Sequence, residues 1–405
     1  MLDLPSIDPK RLGRLLSEAR KARGLTQQGV AEHLQCSRPT LIAIEKGSRL
    51  PTPDEITKLS SLYGRSVHEL VRPGEHVVDL QPYLRAAANK VEPGNEEIAV
   101  AIEQLQRFAE NYRELERIMD APMTYSYPPE VRLYSQVDVA ALAEDVAITE
   151  RNRLGLGDQP VHKLRSLLES DVGMRIMYAP LPSRIAGMYA YAENLGCCIL
   201  INKKHPAERR RASLLHEYGH VIVDRYKPGV DYVNHRGRKP ANERFAERFA
   251  MSFLMPATSL RRRFREVVAT KRDFQVADLC RLSHLYFVSV EAMTYRLEGL
   301  RLIPEGTMQH LHGSRFEVRR AKDILNLPKY SEGDHRFPGR YRYLAVHAYG
   351  QAKITEGQLA MFLDVDPVTA REIVQKVGQT CMITDSGDVE EGRFDNLEQS
   401  LLADR

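Results

Sequence analysis

The sequence predicts an α+β fold that is mostly helical. It predicts a five-helix bundle at the N-terminus, a central domain with a small β-sheet and a helical C-terminal region. Three observations support this. Apolar residues recur at helical spacing over most of the chain. Three short runs rich in strand-forming residues lie together at 174–178, 185–191 and 197–202. The length of 405 residues suits two or three domains of ordinary size.

The composition is that of a globular protein with real cores. Apolar residues make up 43% of the chain, yet no run reaches the ~20 apolar residues of a membrane span. The N-terminus lacks the basic start and apolar segment of a secretory signal. The five cysteines are scattered and form no disulfide framework. We therefore predict a cytoplasmic protein.

Residues 10–71 carry the spacing and the capping residues of five short helices. Hydroxyl side chains stand where helices begin, and glycines stand where they end. The residues that mark these boundaries are Gly24, Thr26, Ser37, Gly47, Thr52 and Ser66. Two short helices joined by a tight turn form a helix-turn-helix, whose second helix enters the DNA major groove. Residues 1–73 contain 12 Lys/Arg and 8 Asp/Glu, a surplus of four that equals the net charge of the whole chain and favours a polyanionic partner.

This segment closely resembles the Cro/CI-type (Xre) DNA-binding domain of phage repressors. The matching residues are Leu25-Thr26-Gln27, Ala31, Ser37 and Ile44-Glu45-Lys46-Gly47. The resemblance implies that Gln27 and Ser37 contact phosphate, and that Arg38, Thr40 and Ala43 line the base-reading face. Arg38 is the expected specific contact because a guanidinium reads guanine through two hydrogen bonds.

Residues 10–73 are thus predicted to bind an operator in double-stranded DNA. Pro39 departs from the family pattern because it cannot hydrogen-bond a base. A five-helix bundle can also serve as a protein-interaction module, and this alternative stays open.

Residues 74–134 are predicted to be a helical linker. A long helix from Asn95 to about Met119 carries a heptad-like apolar seam. The seam consists of Ile98, Ile102, Leu105, Ala109 and Tyr112. It either packs on the chain's own body or joins two subunits into a homodimer, which would suit a two-fold operator.

The strongest chemical signal is His216-Glu217-Tyr218-Gly219-His220. Residues four apart share one face of a helix, so His216 and His220 can bind one cation. Glu217 can reach a water molecule on that cation. This is the H-E-x-x-H arrangement of zinc metalloproteases, with two imidazole ligands and a general base. The competing interpretation is that His216 and His220 are ordinary core or surface histidines.

A third ligand is expected on the helix between Pro240 and Pro256. Two histidines and one glutamate leave the fourth position of zinc open, as a catalytic site requires. We predict Glu243 as this ligand. Glu247, one turn further, is predicted to accept a hydrogen bond from a ligand histidine. The alternative interpretation is that Glu243 and Glu247 both lie on the solvated surface of the helix.

These motifs together resemble the ImmA/IrrE family of bacterial metallopeptidases over residues 135–303. The matching residues are Leu164-x-x-Leu167-Leu168-Glu169, Gly173-Met174-Arg175-Ile176, Gly187-Met188, Ile199-Leu200-Ile201-Asn202, His216 to His220, Glu243-x-x-Ala246-x-x-Phe249-Ala250 and Leu254-Met255-Pro256. The resemblance implies a zincin-like domain, a bound Zn²⁺ and cleavage of Cro/CI-type repressors as protein substrates. An extended substrate could add itself to the edge of the sheet.

Two functions follow from this sequence. One is a transcription regulator with a zinc endopeptidase, in which Glu217 is the base and Tyr232 or His235 donates to the oxyanion. The other is a transcription regulator whose zincin-like domain senses a ligand or partner without proteolysis. An intact Glu217 favours the hydrolase, because a domain that only binds does not need it.

Residues 304–405 are predicted to be helical, with a loose polar tail over 385–405. Two segments repeat the shape of a capped helix-turn-helix, at Ser289 and at Thr355, and we expect them to serve packing or protein contact. Arg209-Arg210-Arg211 is interpreted as a solvated basic turn, with contact to an acidic substrate as the alternative.

Overall fold

The computed structural model divides into two compact units, residues 1–77 and 78–405. The residues that it describes are 9–63, 67, 70, 80–81, 84–85, 87, 95–134, 136–232, 239–314, 316–328, 335–378, 380–383 and 389–392. The mostly helical α+β fold is confirmed.

The first unit is a helical bundle. Its helices are α1 (Pro9–Ala22), α2 (Gln27–His33), α3 (Arg38–Glu45) and α4 (Pro53–Tyr63). The predicted caps are present, because Thr26 Oγ1 accepts from the Gly29 N–H and Ser37 Oγ accepts from the Thr40 N–H. The predicted fifth helix lies mostly outside the described residues. Leu16, Leu41 and Leu59 are fully buried in the bundle core.

An ion pair fastens α3 to α1. Arg20 Nε donates to Glu45 Oε1 over 2.6 Å, and both side chains are almost fully buried. Burial opposes ionisation of Glu45, but the hydrogen bonds from Arg20 and Gln27 hold its pKa below the ordinary value. Paired buried charges of this kind keep a fixed geometry, so α3 is held at a defined angle on the bundle.

The second unit surrounds a four-stranded sheet with helices. Its helices are α5 (Glu96–Ile118), α6 (Val139–Arg153), α7 (Leu164–Leu167), α8 (Ala207–Val223), α9 (Ala241–Leu254), α10 (Ala257–Lys271), α11 (Val276–Leu285), α12 (Val290–Gly299), α13 (Thr307–Gly313), α14 (Val318–Ile324), α15 (Gly339–Gly350), α16 (Glu356–Leu363) and α17 (Pro367–Gly378), with a π-helical turn at Leu168–Val172. Its strands are β1 (Arg175–Ala179), β2 (Ile185–Ala192), β3 (Gly196–Asn202), β4 (Gly229–Tyr232), β5 (Thr380–Ile383) and β6 (Val389–Gly392).

The sheet has the order β1-β3-β2-β4. Strand β3 pairs parallel with β1, and β2 pairs antiparallel with both β3 and β4. The three predicted strands are therefore confirmed, and β4 adds an edge. All residues of β1 and β3 are buried, which matches a sheet covered on both faces. Helix α8 packs on β2 and β3, and α5 packs on β1 and β3.

The apolar seam of α5 is buried within the chain itself. All five seam residues are at most 2% exposed. Tyr112 contacts the ring of Tyr341 on α15 at a centroid distance of 5.2 Å, and Phe108 contacts the same ring at 5.4 Å. Of the two open interpretations, packing on the chain's own body is the one observed. Homodimerisation stays a prediction.

A buried carboxylate joins α5 to β1 and α15. Both oxygens of Glu116 accept from Arg175 Nη2, at 2.9 and 2.8 Å. Arg340 and Arg113 donate to the same carboxylate at 3.0 and 3.2 Å. Glu116 is 1% exposed and Arg175 is fully buried. Three arginines thus share one carboxylate, and the fully buried Arg175 pairs with it most closely.

The C-terminal region is partly corrected by the structure. The capped helices predicted at Ser289 and Thr355 are present as α12 and α16. Strand β6 lies within the segment predicted to be a loose tail, and there the prediction is wrong. Its backbone pairs antiparallel with β5, from Thr380 with Gly392 to Ile383 with Val389. Backbone pairing with the apolar run of β5 stabilises a segment too polar to suggest a strand.

No described helix has both the length and the hydropathy that crossing a bilayer requires. Cys197 and Cys198 are consecutive residues of β3, and both are buried free thiols.

We expect Glu116→Ala to lower the free energy of unfolding of the second unit by about 3–5 kcal/mol, because it leaves the fully buried Arg175 without its carboxylate. Urea denaturation followed by circular dichroism measures the change. Glu97→Ala is the matched control, since Glu97 is exposed on the same helix. Equal effects of the two substitutions would contradict the anchoring role of Glu116.

Candidate metal centre and candidate DNA interface

Helix α8 carries both histidines of the motif on one face. The Nε2 atoms of His216 and His220 lie 3.1 Å apart, and both side chains are buried. Two neutral rings that face each other through unprotonated nitrogens repel unless a proton or a cation lies between them. The pair is therefore arranged for a shared positive ligand.

Glu243 completes the cluster from the first turn of α9. One of its oxygens lies 3.3 Å from His216 Nε2 and the other lies 3.4 Å from His220 Nε2. In the described part of the chain, these three residues are the one group of three or more His, Cys, Asp or Glu that could hold a metal ion. The predicted ligands are thus brought together.

The donor atoms lie close enough to share one metal ion. The two Nε2 atoms are 3.1 Å apart, and each lies 3.3–3.4 Å from a different oxygen of Glu243. One donor atom from each residue lies within 4.8 Å of the other two. Two imidazole nitrogens and one carboxylate are also the donor types that zinc takes in catalytic sites.

Charge inside the cluster stabilises the ionised carboxylate. Burial opposes ionisation of Glu243, but its interactions with His216 and His220 hold its pKa well below the ordinary value. Burial likewise lowers the pKa of His216, yet the bond to Glu243 and the charge of Asp231 raise it by more. The site therefore concentrates negative charge where a cation would sit.

Glu217 follows His216 on α8 and is 1% exposed. Its Oε1 atom is buried and has no hydrogen-bond partner among the described residues. Burial raises its pKa well above the ordinary value, and the charges of Asp231 and Glu243 add to this. A buried carboxyl oxygen without a hydrogen-bond partner is costly to folding and calls for an explanation.

Gly187 on β2 makes room for this carboxyl group. A Cβ atom at Gly187 would lie 2.9 Å from Glu217 Oε1 and 3.0 Å from the Leu200 carbonyl oxygen. Any larger residue there would displace Glu217 or the neighbouring strand.

The two ligand helices touch at Gly219. A Cβ atom there would lie 2.7 Å from the Cα atom of Ala246 on α9. Both small residues are needed for α8 and α9 to approach this closely, and their approach brings Glu243 to the histidines. This explains a glycine in the interior of a helix, where it is otherwise unfavourable.

Two contacts that the sequence did not reveal hold the same helices at the end of α8. Asn242 Nδ2 donates to Asp224 Oδ2 over 2.7 Å, directly before the ligand Glu243. Tyr189 on β2 stacks on the His220 ring at 5.7 Å and donates through its hydroxyl to the Asp224 carbonyl. Tyr189 and Asn242 are far from the histidine motif in sequence, and no local sequence pattern predicts these contacts.

The cleft beside the cluster has a volume of about 380 Å³. Asp231 on β4 lines it and lies 3.9 Å from His216 Nε2. Glu247 also lines it, but its carboxylate pairs with Lys239, and no hydrogen bond from a ligand histidine to Glu247 is found among the described residues. Asp231 is a site residue that the sequence reasoning missed.

The predicted oxyanion donors stay untested. Tyr232 is the last residue of β4, and only its backbone is described. His235 lies outside the described residues.

Helix α3 presents the residues predicted to read DNA. Ser37 and Arg38 are exposed at its start, and Thr40 and Ala43 are partly exposed along it. Ser37 Oγ and Thr40 Oγ1 are hydrogen-bonded at 2.8 Å. The structure shows no side-chain partner for Arg38 among the described residues. Gln27 Nε2 donates to Glu45 over 2.9 Å, which orients its amide beside α3.

Comparisons with known proteins agree with this architecture. Residues 169–298 match the profile of the Peptidase_M78 family, an IrrE N-terminal-like domain, and residues 11–72 match a helix-turn-helix domain profile, HTH_31. The cryptic phage CTXphi transcriptional repressor RstR of Vibrio cholerae is 30% identical over 92 residues, which are 22% of this chain and 83% of that protein. The chain belongs to the DNA-binding helix-turn-helix regulators that carry an IrrE-like, Peptidase_M78 domain.

A solved structure of similar length is that of ComR from Streptococcus suis. It aligns with 93% of this chain and 96% of its own, at 11% identity and a TM-score of 0.16. A similarity this low carries no argument about this protein.

We expect Gly219→Ala to lower the free energy of unfolding by about 1–3 kcal/mol, because the added methyl group overpacks the contact with Ala246. Gly350→Ala is the control, since a Cβ atom at the end of α15 meets no atom within 4 Å. Differential scanning calorimetry of both variants measures the change. A Gly219→Ala protein as stable as the parent would show that α8 and α9 separate freely.

Proposed function

We propose that the IrrE-like domain is a zinc endopeptidase that cleaves a protein bound near the same DNA, a Cro/CI-type repressor being the inferred substrate class. One observation carries this proposal: donor atoms of His216, His220 and Glu243 lie within 4.8 Å of one another, next to Glu217, whose buried Oε1 has no hydrogen-bond partner among the described residues. A domain that only binds a partner has no need of that fourth residue.

Zinc suits the cluster by donor type and by spacing. When bound to two histidines and one carboxylate, it supplies a Lewis acid that activates water near neutral pH and polarises a carbonyl group. Every further step depends on the chain's own residues.

Glu217 is the proposed general base. It takes a proton from the attacking water and later passes it to the departing amine. Burial and the charges of Asp231 and Glu243 raise its pKa, and a cation held by His216, His220 and Glu243 would oppose this rise and favour the ionised form that can take the proton. Gly187 leaves room for this carboxyl group, because a Cβ atom there would lie 2.9 Å from Glu217 Oε1.

Strand β4 is the proposed docking edge for substrate. It pairs with β2 on one side, and in the described part of the chain no strand pairs with its other side. At the opposite end of the sheet, β1 is engaged, because the Tyr178 N–H donates to the Arg336 carbonyl over 2.9 Å. An extended peptide that adds to β4 would lie beside Asp231 and His216.

The helix-turn-helix supports a substrate that is itself bound to DNA. A peptidase tethered to an operator meets neighbouring DNA-bound proteins at high effective concentration. The similarity of residues in the first unit to a phage repressor agrees with a shared or adjacent operator. These two arguments support the repressor class over an arbitrary protein.

We expect Glu217→Gln to retain about one zinc ion per chain while losing cleavage, because the amide keeps the shape of the side chain but cannot take a proton. Glu243→Ala should lose both, since it removes a ligand. Metal content is measured by plasma mass spectrometry, and cleavage by new N-termini in a tryptic peptide library from a bacterial proteome.

Glu266→Ala is the matched control for the ligand variant, because it removes an exposed glutamate on α10 that does not line the cleft. It should keep zinc and cleavage. Zinc bound to Glu217→Gln together with undiminished cleavage would remove Glu217 from the mechanism. Zinc absent from the parent protein would favour the sensor interpretation.

The first unit is proposed to read its operator through α3. We expect Arg38→Ala to weaken specific binding by about 1–3 kcal/mol and to relax the preference at one base pair. Lys58→Ala removes the same charge from α4 and should weaken binding to all sequences alike. Electrophoretic mobility shifts on selected and scrambled operators separate the two outcomes. An unchanged sequence preference in Arg38→Ala would mean that another element reads the bases.

A further inference from the structure

A second, larger cavity adjoins the metal cleft. Its volume is about 720 Å³, which is within the range of ligand pockets. It lies between the start of α8, the end of α9, the start of α12, α13 and the segment that begins at Phe316. Its lining includes Ala212, Met251, Ala292, Met308, Leu311 and Phe316. We call it the apolar groove.

The apolar groove and the metal cleft form one continuous surface. Arg209, Ala212 and Met251 line both of them. Ala212 precedes the ligand His216 by one helical turn, on the same face of α8. A chain that leaves the metal cleft along α8 toward its N-terminus therefore enters the groove.

The distance from the metal centre to the apolar groove corresponds to a few residues of an extended substrate. His216 and Glu208 are eight residues apart on α8, or about 12 Å along the helix at ~1.5 Å per residue. An extended peptide advances ~3.3 Å per residue. The groove therefore receives a side chain roughly two to four residues from the bond at the metal centre.

The lining favours an apolar occupant. Val288, Val290, Met308 and Leu311 are buried in its walls, while Ala292 lies partly exposed. Glu208 and Lys322 at its edge pair with each other at 2.8 Å. Arg209 and Glu291 also line it but are exposed, so these charges lie at the rim, and a charged side chain that entered among the buried apolar walls would lose its hydration.

We infer that the apolar groove selects substrates by binding one bulky apolar side chain, such as leucine, methionine or phenylalanine, two to four residues from the cleaved bond. This inference rests on the proposed peptidase function and specifies its substrate class. The occupant is an extended peptide, because the groove continues a cleft whose β4 edge suits an extended chain.

The cleavage profile tests the selection. The parent protein, loaded with zinc, should cut a tryptic peptide library with bulky apolar residues enriched at one position in that window. Ala292→Phe fills the groove and should reduce this enrichment about tenfold or more, while peptides with small residues at that position are still cut. Ala269→Phe adds the same ring at an exposed position of α10 and should leave the profile unchanged.

A binding measurement tests the groove without catalysis. The chain contains no tryptophan, so Phe316→Trp places a single fluorescent reporter in the groove wall. The probe is an acetylated nonapeptide of glycine and serine with one central leucine. The control peptide has aspartate in place of this leucine. The leucine peptide should change the emission saturably, in zinc and in EDTA, and about tenfold more tightly than the aspartate peptide. Adding Ala292→Phe should abolish the change.

The outcomes separate the two proposals. Reporter binding without any cleavage by the parent supports the groove and rejects the peptidase. Cleavage with no apolar preference, or an unchanged profile in Ala292→Phe, overturns the groove. Should Ala292→Phe fail to fold, the difference between leucine and aspartate peptides on Phe316→Trp decides the question. Equal response to both peptides would also overturn it.

Discussion

The candidate centre depends on how closely α8 and α9 approach each other. Gly219 has no side chain, so its Cα can lie against Ala246 where a Cβ atom would come within 2.7 Å of the facing backbone. This contact brings a carboxylate from one helix within 3.4 Å of two imidazoles on the other. The bond between Asn242 and Asp224 fastens the same two helices one residue before the ligand. Ligand geometry is thus a consequence of helix packing.

Buried and partnered charges hold the surrounding helices in place. Glu144 on α6 accepts from Arg296 on α12 and from Arg248 on α9. Arg211 is fully buried, donates to the carbonyl groups of Val161 and His162 and lies over the Phe287 ring at 4.7 Å. Buried charges persist only where such partners exist. The interpretation of residues 209–211 as a solvated turn is wrong for Arg210 and Arg211, because both are buried.

The two units each have their own internal organisation. In the first, the Arg20–Glu45 pair sets the helix that is proposed to read DNA. In the second, the sheet and α9 set the metal ligands around α8. The chain thus joins a helix-turn-helix domain to a peptidase-family domain. Joining two domains in one chain raises the local concentration of each domain near the binding partner of the other.

Local rules determined much of this protein from its sequence. Caps such as Thr26 and Ser37, the strand runs and the histidines one turn apart follow from short-range periodicity, and the structure has them. Contacts between segments that are distant in sequence could be read only from the tertiary structure. It buried the α5 seam within the chain, placed Asp231 beside His216, left Glu217 without a partner in the described residues and joined the apolar groove to the cleft. Packing between segments sets these features, and no local pattern records them.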